Sequence, residues 1–138
     1  MRIMVSACLL GENCKYSGGN NRSEKVLEYV AGHEVIPVCP EVMGGLPTPR
    51  EPAEIVNGEV INRLGMSVDR EYRLGAKKTL GLAKEKQIDL AILQPRSPSC
   101  GTKEIYDGTF SGKRIPGMGV TAALLKQNGF QVIGADEL

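Results

Sequence analysis

Short apolar runs rich in branched residues alternate along this chain with stretches of helical periodicity. That alternation restricts the fold more than any other feature. Residues 2–7, Glu34–Val38, 88–94 and 130–134 read as buried strands. Between them, Ser23 caps a helix over residues 24–31 that Gly32 stops. Ser67 or Asp69 opens a second helix reaching about Gln87, with Tyr72, Ala76, Leu80 and Ala83 one or two turns apart, and residues 119–127 form a third, ended by Gly129. Strands alternating with helices imply right-handed crossovers and parallel pairing. The expected class is therefore α/β: a doubly wound, mainly parallel four-stranded sheet. Asn57-Gly58 between Ala53–Val56 and Glu59–Asn62 adds a small β-hairpin insertion. At 138 residues the chain is expected to form a single domain over 1–138.

Three stretches resist regular structure. Residues 9–22 hold three glycines and three asparagines, and residues 40–53 hold four prolines. Residues 95–117 read as a loop of a length that usually serves function. A net charge of +1 gives no electrostatic argument for nucleic acid or a membrane surface. No apolar run approaches the ~20 residues that span a bilayer. The N-terminus reads as a strand rather than a signal peptide, so the default location is cytoplasmic. There thiols stay reduced, and scattered cysteines are ligands or catalysts before they are disulfides.

Three of the four cysteines fall where a strand runs out into one of these loops. Cys8 ends the first strand, Cys39 the second, and Cys100 follows the third by way of Gln94-Pro95-Arg96-Ser97-Pro98-Ser99. Sites in open α/β sheets form outside the carboxyl ends of strands, so these thiols can meet in one crevice as a metal or cluster site. The spacing lacks the paired Cys-x-x-Cys of zinc knuckles. Three thiolates around a cubic cluster would leave one iron open, suited to binding sulfur. Cys14, with no strand feeding it, reads as a supporting residue, and the single histidine, His33, as a capping or solvated one.

Neighbouring residues supply chemistry to such a site. Glu41, two residues after Cys39, is placed to orient or deprotonate water. Ser97 and Ser99 flank the third thiol in a prolyl turn. The stretch from Gly44 to Arg50 offers N–H groups, Thr48 and a guanidinium for an anionic or carbonyl oxygen. Lys103, Tyr106 and Asp107, with glycines at 108, 112, 117 and 119, mark a loop able to close over a ligand, and Gly117-Met118-Gly119 resembles an anion-binding helix start. Two other classes stay open. A thiol phosphatase or arsenate-reductase-like loop needs Cys, five residues, then Arg, and Cys14 stands at that position. A cluster- or zinc-binding module without catalysis is the second.

The motifs around these residues also carry a family likeness. Val5-Ser6-Ala7-Cys8-Leu9-Leu10-Gly11, Pro37-Val38-Cys39-Pro40-Glu41, Gly44-Gly45-Leu46-Pro47-Thr48-Pro49-Arg50, Ser97-Pro98-Ser99-Cys100-Gly101 and Tyr106-Asp107-Gly108-Thr109-Phe110 resemble the signature blocks of the thiouracil desulfidase family. The resemblance runs from residue 3 to residue 133. It implies a 4Fe–4S cluster held by three cysteines, matching Cys8, Cys39 and Cys100, and hydrolysis of the carbon–sulfur bond of a thiolated uracil with release of sulfide. It further implies a small-molecule thiolated pyrimidine, base or nucleotide, because relatives acting on transfer RNA carry an extra domain. This chain departs from the family at Gln94, where Lys is usual, and at Ser17, where Asp is usual. Neither is a ligand position.

Overall fold

A computed structural model describes residues 1–138. The first strand, β1 (Arg2–Ser6), runs into a 3-10 turn, Ala7–Leu10, and is followed after a loop by α1 (Glu24–Val30). Then come β2 (Glu34–Val38), the single turn α2 (Pro40–Met43), and the antiparallel hairpin β3 (Ala53–Val56) and β4 (Glu59–Asn62). Helix α3 (Asp69–Lys86) leads to β5 (Leu90–Leu93) and to a second hairpin, β6 (Glu104–Tyr106) and β7 (Arg114–Pro116). The chain closes with α4 (Val120–Gln127) and β8 (Val132–Gly134).

β2, β1, β5 and β8 pair in that order, all parallel. The direction of winding reverses between β1 and β5, the switch point at which open α/β sheets hold ligands. Successive strand residues point to opposite faces. Ile3, Val5, Leu90 and Ile92 pack with Val26 and Val30 of α1 on one face. Met4, Ala91 and Leu93 meet Ala83 of α3 and Ala122 and Leu125 of α4 on the other. Both faces are covered, which is why these strands read as continuous apolar runs.

The expected elements recur with shifted ends. β1 stops at Ser6 because Ala7–Leu10 coils into a 3-10 turn that Gly11 closes at φ 100. Ser23 caps α1, its side chain accepting from the Val26 N–H at 3.3 Å. The Asn57-Gly58 turn takes left-handed values at both residues, φ 50 and 81, as a two-residue hairpin demands. The segment 95–117, expected as a loop, contains β6 and β7. Strands of three residues, one of them ending in proline, are too short to show a period of two. α2 was also unforeseen, though its proline at the first helical position costs nothing there.

Two glycines join α2 to α3 in backbone contact. A Cβ on Gly75 would overlap the Pro40 carbonyl, and one on Gly44 would overlap the Glu71 carbonyl. α2 carries Glu41 and begins directly after Cys39, so this contact sets the position of both. No helix is long and apolar enough to cross a membrane.

Candidate active site

The carboxyl ends of β1, β2 and β5 open on a cavity of about 520 Å³ whose wall includes Cys8, Cys14, Cys39, Glu41, Arg50, Ser97 and Cys100. All four cysteines are free. Each of the three strand-end thiols is held differently. Cys8 sits in the 3-10 turn, 9% exposed, and its sulfur accepts from Asn21 Nδ2 at 3.6 Å. The Asn21 N–H also donates to the Cys8 carbonyl at 2.9 Å, so the first loop folds back over this cysteine. Cys39 precedes α2, its thiol 3.7 Å from Glu41 Oε2 and 3.7 Å from the Cys14 carbonyl.

Cys100 is buried at the end of a tight turn. Ser97 Oγ accepts from the N–H groups of Ser99 and Cys100, both at 3.0 Å. Gly119 has no side chain because a Cβ there would strike the Ser99 backbone. The turn then uses its carbonyls to cap α4: Gly119 donates to Gly101 at 2.8 Å, Val120 to Pro98 at 2.8 Å and Thr121 to Ser99 at 2.9 Å. This corrects the reading of Gly117-Met118-Gly119 as an anion-binding helix start, since those N–H donors are already engaged.

Burial pushes the Cys8 and Cys39 thiols above their ordinary value, and the Glu41 charge pushes both further. Burial raises Cys100 well above it, again with Glu41 adding. Cys14 is pushed up to about 12 by burial and by Cys39. Cys8, Cys39 and Cys100 thus all feel one carboxylate, and each stays a neutral thiol unless a metal displaces its proton.

Glu41 and Arg50 have side chains only 12% and 8% exposed, with Glu41 Oε2 4.0 Å from the guanidinium. Arg50 also donates to the Cys14 carbonyl at 3.0 Å, to Thr48 Oγ1 at 3.1 Å and to the Pro47 carbonyl at 3.3 Å. The guanidinium therefore ties the first loop to the second beside the carboxylate. Among the residues singled out from the sequence, Thr48, Ser99 and Lys103 lie off the cavity wall. Thr48 is exposed and braces Arg50. Ser99 is fully buried, its hydroxyl bonded to Thr121 Oγ1 at 2.9 Å. Lys103 pairs with Glu137 at 3.5 Å beyond the cavity.

The wall also holds residues the sequence did not single out, among them Ser6, Asn21, Tyr72 and Arg63. Ser6 ends an otherwise apolar strand, a signal that was available: its Oγ accepts from the Gln94 N–H at 2.9 Å. Gln94 Oε1 is buried without a partner. Nothing in the sequence marks Asn21 among three loop asparagines.

No three His, Cys, Asp or Glu side chains gather as ligands of one metal ion. With ~2.3 Å metal–sulfur bonds, thiolates on one zinc stand ~4 Å apart, whereas those on three corners of a cubane stand ~6–7 Å apart. Three soft sulfurs lining one roomy cavity are the kind of donors an iron–sulfur cluster takes. An oxyanion cradle after Cys8 is not formed. The Gly11, Glu12 and Cys14 N–H groups donate to the Cys8, Ala7 and Glu12 carbonyls at 3.2, 3.3 and 2.9 Å, inside their own loop.

The chain is similar to known proteins. The protein YbbK of Bacillus subtilis (strain 168), described as uncharacterized, is 47% identical over 146 residues, covering 99% of this chain and 97% of its own. The solved structure of a 4Fe-4S-dependent thiouracil desulfidase, TudS (DUF523Vcz), superposes with a TM-score of 0.93 at 42% identity, covering 99% of this chain and 92% of that one. The 2-thiouracil desulfurase family matches residues 3–137, which is nearly the whole chain, and the protein belongs to that family.

Proposed function

We propose that this chain, acting as one domain over 1–138, is an iron–sulfur-dependent desulfidase that hydrolyses the C–S bond of a small thiolated pyrimidine. Cys8, Cys39 and Cys100 would hold a 4Fe–4S cluster. The observation that carries the reading is the convergence of these three thiols, from three separate strand ends, on one cavity together with Glu41. When bound, such a cluster supplies an iron free of protein ligands, a soft Lewis acid for a thiocarbonyl sulfur.

The remaining work falls to side chains on the cavity wall. Glu41 takes a proton from water and directs the hydroxyl at the ring carbon that bears sulfur. Arg50, almost buried beside it, holds that carboxylate in place through a 4.0 Å ion pair. Ser97, whose lone pairs already hold the Ser99 and Cys100 N–H groups, keeps its O–H free to donate toward the substrate. Asn21 donates to the Cys8 sulfur. Thr48 fixes Arg50, and Cys14 supports Cys39 rather than ligating. Lys103, held at Glu137, reaches the substrate only if the 95–117 segment moves.

The reaction balances as thiocarbonyl plus water giving carbonyl plus hydrogen sulfide. Glu41 takes one proton from the attacking water and a second from the adduct's hydroxyl as the carbonyl forms, passing each to the leaving sulfur, and no electron is consumed. A reducing cytoplasm, where four free cysteines persist, suits it. The test is anaerobic reconstitution with iron and sulfide, followed by assay of sulfide release from 2-thiouracil. Cys100→Ser should lose cluster and activity together, and Glu41→Gln should keep cluster while losing turnover. Full cluster and activity in Cys100→Ser would overturn the assignment.

A further inference from the structure

The tip of the β6–β7 hairpin is built as though to hold one aromatic ring in place. Phe110, one of two phenylalanines in the chain, takes a left-handed backbone at φ 55, a conformation that a bulky residue adopts only when its surroundings impose it. Its side chain is 37% exposed and lines the cavity, so burial in a core does not account for it. The surroundings that impose the conformation can be named. Glu54 of β3 accepts from the Phe110 N–H at 3.1 Å and from the Gly108 N–H at 3.0 Å with the same oxygen, Oε1. Gly108 lies so close that a Cβ there would stand 2.7 Å from the Ile55 carbonyl. One carboxylate on the first hairpin therefore latches the second across the mouth of the cavity.

We infer that Phe110 is the stacking wall for the ring of the pyrimidine ligand, and that Glu54 is the positioning residue that holds it there. This rests on the function proposed above and sharpens it: the substrate must be a flat ring presented face-on to Phe110, its sulfur directed down toward the thiols at the strand ends. Linear thiocarbonyl compounds such as thioureas lack the face that this wall recognises. Strain at a functional position is retained when it serves pre-organisation, and here the cost is offset by two charge-assisted hydrogen bonds.

The test uses the reconstituted holoprotein, with iron content matched between variants and uracil as a non-reacting probe of the ring site by equilibrium dialysis. Stacking of a base on an aromatic ring is commonly large enough for Phe110→Ala to weaken uracil about 5- to 100-fold. Phe110→Leu keeps the bulk without the π face and should weaken it similarly. Phe110→Trp should retain affinity, and since the chain has no other tryptophan its emission should be quenched as uracil binds. Glu54→Ala should reproduce the Phe110→Ala loss and raise the 2-thiouracil KM more than it lowers kcat. Glu54→Gln, which still offers a carbonyl oxygen, should restore most of it. The double variant should be no worse than Phe110→Ala, because both act through one contact. Wild-type affinity in Phe110→Ala and Phe110→Leu would overturn the stacking inference while leaving the desulfidase reading intact. A loaded wild-type protein that neither binds uracil nor acts on 2-thiouracil would overturn both.

Discussion

Gly75 offers a sharp test of how the fold sets the site, because the chain contains its own control. Alanine is favoured over glycine inside a helix by about 1 kcal/mol, so Gly→Ala in α3 should stabilise where space permits. Gly81, in the same helix, meets that condition: nothing lies within 4 Å of a Cβ added there. At Gly75 the added methyl overlaps the carbonyl of Pro40, while contacts under 3.0 Å are essentially never seen. The flexible end of a side chain could yield, but the obstacle here is backbone. α2 must therefore withdraw by roughly 1 Å, at an overpacking cost of about 1–3 kcal/mol that cancels or exceeds the propensity gain. Because Cys39 and Glu41 flank Pro40, the same shift misplaces the proposed cluster ligand and the proposed water-directing carboxylate, and a misplacement of that size can lower turnover about 100-fold. Urea unfolding of both variants, with iron content and sulfide release, decides the matter. Gly81→Ala should be as stable as wild type or more so, with full activity. Gly75→Ala should be less stable than Gly81→Ala and nearly inactive. Equal stabilisation at both positions with full turnover would refute the claim that the α2–α3 contact positions the site.

Two further outcomes follow from single contacts. Asn21→Ala removes the amide donor to the Cys8 sulfur. If Cys8 holds iron as proposed, loss of a hydrogen bond to its sulfur is commonly worth about 10- to 100-fold in metal affinity, so a chelator should strip iron more readily from this variant at unchanged thermal stability. Glu137 is held below the ordinary carboxylate range, first by the Gly134 N–H and then by Lys103. A depressed folded value means that its contribution is present above the unfolded value near ~4.3 and is lost as pH falls through the folded one. Glu137→Gln should therefore unfold at lower urea than wild type at neutral pH, and the difference should close below about pH 4.

The sheet was legible because strands covered on both faces leave unbroken apolar runs such as Ile3-Met4-Val5 and Leu90-Ala91-Ile92-Leu93, and because Asn57-Gly58 admits few other turns. The grouping of Cys8, Cys39 and Cys100 followed from topology alone, since parallel strands put all their carboxyl ends on one side. Side-chain direction within the loops did not follow. Ser97 and Ser99 are two residues apart in one turn, yet only Ser97 reaches the cavity while Ser99 is committed to Thr121. Lys103 is committed to Glu137, thirty-odd positions later, by a fold-level contact that no local pattern announces. The Glu54 latch spans 54 and 56 positions to Gly108 and Phe110 and joins two hairpins, one of them too short to be read in advance.

The central claim is that three cysteines hold a four-iron cluster and leave one iron for the substrate's sulfur. Mössbauer spectroscopy of the anaerobically reconstituted protein, with and without 2-thiouracil, tests this most directly. The account predicts one iron site distinct from the other three, shifting when 2-thiouracil is added, and unchanged in Cys14→Ser. Four equivalent iron sites that ignore 2-thiouracil, or a distinct site that changes only when Cys14 is replaced, would contradict it.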